Sequence, residues 1–250
     1  MFIVKDVRKI PEILTSDPAS VTDLKLSRRP AEFKAKPPNF MPPAVSPLAK
    51  SADLVAAKKN KEDPGTLFAL IQHDLSKLTS LTYLSVYDSE ITTLMGIEKL
   101  ARVDNLRELN LGCNPISEVP PGLALLQSLA TLSMDDCLLS AFPAPVANLS
   151  SLEELRMSGN AIGELTEGDI GGMAGLRLLN MDNNKIQTFP QGLKFESLSL
   201  LSLRANGLTA FPTEMFRSTP ALEFLALSSN KIRGFDLPLL VRECGRLQKV

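Results

Sequence analysis

Few residues in this sequence combine the types and the spacing that chemistry requires. His73 is the single histidine, and the three cysteines, Cys113, Cys137 and Cys244, are scattered and odd in number. Acid–base catalysis and zinc binding both need several groups converging on one point, and a lone His has no partner by spacing. His73 therefore reads as a surface or rim residue. Asp135 and Asp136 form a carboxylate pair, but adjacent side chains on a strand point to opposite faces. Cys113 falls in a turn and is expected to be partly exposed, whereas Cys137 is expected to be buried and inert. The sequence contains no phosphate loop, no G-x-S-x-G, no H-E-x-x-H and no C-x-x-C, and Gly171-Gly172 cradles nothing recognisable. These residues predict no enzyme, no cofactor and no metal site. What remains is recognition by a surface.

The elements that would position such a surface come from a phrase repeated seven times between Leu81 and Phe235. Residues 106–116, LRELNLGCNPI, are the cleanest copy. The copies begin at Leu81, Leu106, Leu129, Leu152, Leu176, Leu198 and Leu222, in steps of 25, 23, 23, 24, 22 and 24 residues. Each reads L-x-x-L-x-L-x-x-N-x-L, with Val86, Met134, Met157 and Met181 in place of the third Leu. The alternation at Leu109 and Leu111 predicts a short strand with both side chains on one face. Stacked copies would form a parallel sheet over a continuous Leu column. Asn114, Asn160, Asn184, Asn206 and Asn230 recur in the following turn, where an amide can satisfy buried backbone. Ser89 and Cys137 take that place in two copies, and both can still donate. A second apolar column lies thirteen residues after each start: Leu94, Val119, Phe142, Leu165, Phe189, Phe211 and Phe235. Pro120, Pro143, Pro190 and Pro212 follow it and can open a return segment. Apolar pairs three apart, such as Leu123 and Leu126, predict short helices or 3₁₀ turns on the convex wall.

This pattern over residues 66–250 resembles the leucine-rich repeat family, whose period is about 20–29 residues. The resemblance implies an α/β solenoid, a curved horseshoe with a parallel sheet on the concave face. Repeats of 22–25 residues with an apolar-Pro ending are similar to the cytosolic class. That class implies scaffold or adaptor work on protein partners in signalling, cytoskeletal or ubiquitin pathways. Two other functions stay open: the recognition half of a larger ligase or kinase, and a structural subunit of a large assembly.

The third, fifth and seventh places of the phrase are expected to face the concave wall. They put Leu178, Leu200 and Phe224 side by side at one end, with Asn180, Asp182, Arg204 and Arg156 around them, and Tyr83 with Tyr87 at the other end. The expected protein-binding anchor is the Leu178, Leu200, Phe224 patch, because an apolar centre with a polar rim suits an interface.

The rest of the chain sets bounds. A formal net charge of -1 argues against a general nucleic-acid binder. Residues 1–64 carry 12 Lys and Arg against 8 Asp and Glu, while the remainder carries 15 against 20, so the solenoid is the acidic part. No apolar run has the length of a signal peptide or a membrane span, and no Cys-rich caps flank the array. A reducing compartment, cytoplasmic or nuclear, is the expectation. Residues 1–33 read as a cap or as a degenerate repeat around Val21, Leu24 and Leu26. Residues 34–64 hold Pro37, Pro38, Pro42, Pro43 and Pro47 and read as a linker or insertion, either a solvated spacer or a basic docking arm. Residues 65–250 form the solenoid. Leu247 restarts the phrase, so the C-terminal edge is expected to self-associate or to be covered by a partner.

Overall fold

The computed structural model describes residues 2–4, 17–26, 71, 74–234 and 237–248. His73, Phe235, Val250 and residues 27–70, with the Pro- and Lys-rich segment, lie outside them. Nine strands form one parallel sheet in strict chain order. They are β1 (Phe2–Val4), β2 (Asp23–Leu26), β3 (Tyr83–Ser85), β4 (Glu108–Asn110), β5 (Thr131–Ser133), β6 (Glu154–Arg156), β7 (Leu178–Asn180), β8 (Leu200–Ser202) and β9 (Phe224–Ala226). Each strand has three or four residues, too few to persist alone, so stability comes from stacking. The register puts the middle Leu of every repeat in one row: Leu24, Leu84, Leu109, Leu132, Leu155, Leu179, Leu201 and Leu225. All eight are at most 2% exposed, and each contributes roughly 1.5–3 kcal/mol by leaving water.

β2 carries the phrase suspected around Val21 and continues the sheet, with Asp23 opposite Tyr83. β1 extends it by one more strand, and no repeat phrase marked that segment. Leu24 and Leu84 are 60 residues apart, against 22 to 25 between other neighbouring rows from β3 onward, so this turn holds the insertion. At the other end Gln248 donates its N–H to Glu223 O at 2.9 Å, the same step that Glu223 makes to Ser199 O.

The Asn column acts in the turns as its chemistry requires. Asn114 donates to Val86 O, Leu111 O and Gly112 O and accepts from the N–H groups of Ser89 and Ile91. Asn160, Asn184, Asn206 and Asn230 repeat this, each donating both to its own turn and to the preceding repeat. Where the amide is missing, the Ser89 hydroxyl donates to Leu26 O at 3.1 Å and the Cys137 thiol to Leu111 O at 3.7 Å.

Among the described residues the convex wall holds 3₁₀ turns and the short helices α1 (Ala144–Ala147), α2 (Glu167–Ile170) and α3 (Leu237–Glu243). Pro120, Pro143 and Pro212 cap the segments that follow them, where a missing N–H costs nothing. Phe189, Phe211 and Phe216 stack in sequence at 5.4 and 5.7 Å between ring centroids, which ties the last repeats together.

The residue before the Asn place adopts a left-handed backbone in seven consecutive repeats: Asp88, Cys113, Asp136, Gly159, Asn183, Ala205 and Ser229. Its N–H must reach the next repeat's carbonyl, as Cys113 does to Asp135 O at 2.8 Å. Asn and Asp adopt this geometry readily, and Ala does not. Ala205→Gly is expected to stabilise the chain by about 1 kcal/mol, read as a shift of the urea midpoint at constant slope.

Candidate protein-binding face

The places predicted to look outward from the sheet do so, but strand curvature crowds them. Phe224 and Leu200 are half-buried, and Leu178 retains only 9% exposure. The expected patch of three exposed residues is therefore a strip: Leu200 and Phe224 present surface and Leu178 forms its floor. The three stand opposite one another in register across β7, β8 and β9. Side chains on a concave sheet converge, so flanking residues cover a Leu that a flat sheet would leave open.

The polar rim is tied down. Asp182 Oδ1 accepts from the Ser202 hydroxyl at 2.6 Å and from the Arg204 N–H at 2.7 Å, and Asn180 accepts from the Asp182 N–H at 3.0 Å. Burial pushes the Asp182 carboxyl above its ordinary value, against the pull of those donors and of Arg204. Arg156 pairs with Glu154 at 3.0 Å on the same strand. The Arg204 guanidinium lies 6.0 Å from the Phe224 ring centroid, a cation–π contact, and its Nε is buried without an acceptor.

The other end is aromatic and acidic. Lys25 lies 5.3 Å over the Tyr83 ring, a contact between β2 and β3 that sequence reasoning missed because β2 was only a candidate repeat. Tyr87 lies along Gly112, where a Cβ would come within 3.3 Å of the ring, and its hydroxyl meets the Cys113 thiol at 2.8 Å. Burial pushes that thiol up to about 11, so it stays protonated and is no nucleophile at neutral pH. Cys137 is buried and pushed up to about 12 for the same reason.

Asp135 and Asp136 do not lie on a strand, contrary to the expectation, because β5 ends at Ser133. The left-handed backbone at Asp136 separates them. Asp135 reaches sideways to the next repeat, accepting the Ser158 N–H at 2.7 Å as Asp182 accepts from Arg204, and Asp136 turns toward Cys113. Among the described residues no group of three or more His, Cys, Asp or Glu is arranged to hold a metal ion, and no helix is long and apolar enough to cross a membrane.

Comparison with known proteins agrees with this architecture. A family model described as Leucine Rich Repeat matches residues 105–126. Keratocan of Danio rerio is 26% identical over 187 residues, 63% of this chain and 53% of keratocan, so the chain spans about half that relative's length. Among solved structures, a leucine-rich repeat protein of Leptospira interrogans superposes with a TM-score of 0.58 at 27% identity, covering 70% of this chain and 44% of that one. Internalin C2 of Listeria monocytogenes gives 0.56 at 25% identity, covering 73% and 74%. With a nine-strand sheet in repeat register, an intact Asn ladder and these likenesses, the chain belongs to the leucine-rich repeat family.

Proposed function

We infer that this chain is a non-enzymatic scaffold that takes a protein partner on its concave face. The observation that carries the reading is the Leu178, Leu200, Phe224 strip. Its members meet in register on the face turned away from the core, inside a rim of Asn180, Asp182, Arg204 and Arg156. The rim's hydrogen bonds are made within the chain, so the strip is preformed and a partner has little ordering to impose. Its three cysteines are unpaired, which fits a reducing compartment, cytoplasmic or nuclear.

Affinity purification followed by titration of the recovered partner tests the reading. Phe224→Ala is expected to weaken binding by about 2 kcal/mol, on the order of 30-fold, with the unfolding midpoint almost unmoved. Leu200→Asp is expected to weaken it at least as far, because it puts a charge in the apolar strip. Parent-like binding by both variants would move the site to the Tyr83 and Tyr87 end.

A further inference from the structure

Arg204 is placed unlike the other concave cations. Arg156 has its carboxylate in Glu154, and Lys25 sits on Tyr83 at the far end. Among the described residues no carboxylate is within salt-bridge distance of Arg204, although its charge acts on Asp182. The nearest candidate, Asp182, directs Oδ1 to Ser202 and to the backbone of Arg204 itself. The side chain is half-buried, its Nε has no acceptor, and its guanidinium lies 6.0 Å from the Phe224 ring centroid. A guanidinium beside an aromatic ring with an unused donor keeps its fork, and such a fork matches a carboxylate in two-point contact.

Resting on the concave-face reading above, we propose that Arg204 and the Leu200–Phe224 strip together read an internal acidic–apolar segment of the partner protein. A side-chain carboxylate of that segment engages Arg204 while an apolar side chain two residues away lies on Leu200 and Phe224. The spacing follows from geometry. An extended segment repeats side chains on one side about every 7 Å, and adjacent strands of the sheet are about 4.8 Å apart. The guanidinium is 6.0 Å from Phe224, so both side chains fall within reach of one segment. Charge complementarity selects the sequence: a basic residue at the first position would meet Arg204 and be rejected.

A displayed library of random linear peptides, selected on the full chain, provides the test. The expected result is enrichment of Asp or Glu two places from an aliphatic or aromatic residue. A synthetic copy of an enriched peptide should lose at least 10-fold in affinity on Arg204→Gln, and less on Arg204→Lys, which keeps the charge without the fork. Replacing the peptide's carboxylate with its amide should cost the same factor on the parent chain and nothing more on Arg204→Gln. Far-UV circular dichroism of each variant should match the parent. Affinity that depends on Leu200 but not on Arg204 would overturn this proposal and leave the concave-face reading standing. Independence from both residues would overturn both. Failure to enrich any peptide, loss on amidation of the peptide's C-terminus, or self-association of the chain that Arg204→Gln abolishes would each overturn the proposal by removing the acidic segment as the occupant.

Discussion

Asn114→Ala is expected to destabilise the chain by about 4 kcal/mol. The amide of Asn114, 1% exposed, makes five hydrogen bonds and links two repeats. Truncation leaves the Ser89 and Ile91 N–H groups buried without an acceptor, at roughly 1–3 kcal/mol each, and strips a donor from three carbonyls. Water cannot replace it, because Ser89, Ile91 and Leu111 are at most 4% exposed. A solenoid couples only neighbours, so the damage should stay near β3 and β4. The sequence offers its own probe. Its two tyrosines, Tyr83 and Tyr87, lie in the preceding repeat, whose turn the Asn114 amide ties down, and there is no Trp. Tyrosine emission should therefore report unfolding at lower urea than far-UV circular dichroism does, while the parent shows coincident transitions. An unchanged midpoint in both signals would mean that the ladder does not hold these repeats together.

Asp135→Asn is expected to stabilise the chain above pH 7 by roughly 3 kcal/mol and to do nothing near pH 4. Burial raises the Asp135 carboxyl to about 6 from 3.8, with Asp136 adding to it; the Ser158 N–H, Arg156 and the Ser133 hydroxyl oppose the rise and lose. The unfolded carboxyl gives up its proton first. Between about pH 4 and pH 6 the native state thus holds more protons than the unfolded state, and stability falls as pH rises. The contribution is complete below pH 4 and gone above pH 6. Asparagine keeps the acceptor for Ser158 and cannot ionise. The difference between the two chains in urea midpoint, measured across pH 4 to 8, isolates this carboxyl from every other titrating group. A difference independent of pH would show that Asp135 does not titrate in that range.

The ladder was legible because its chemistry is local. An Asn nine places into each phrase, in a turn that must bury backbone, has one use, and the Ser89 and Cys137 replacements follow the same logic. The candidate face was legible in part. Periodicity assigned Leu178, Leu200 and Phe224 to one row, since outward places on a strand alternate strictly with inward ones. Periodicity does not report curvature, and curvature closes over Leu178 and leaves 9% of it exposed.

What the sequence determined by itself is everything set by the repeat: a parallel sheet in chain order, the inward Leu rows, the Asn turns and the outward columns. These depend on spacing along the chain, which a reader can count. The tertiary structure alone decided the contacts between different repeats and the conformations that no side chain dictates. Arg204 meets Phe224 and Tyr87 meets Cys113 only once the strands are stacked and curved. The left-handed residues before each Asn, Ala205 among them, are set by the N–H that must reach the neighbouring repeat. β1 joined the sheet without a phrase of its own, because an open parallel edge at β2 accepts any extended backbone that can donate and accept in register.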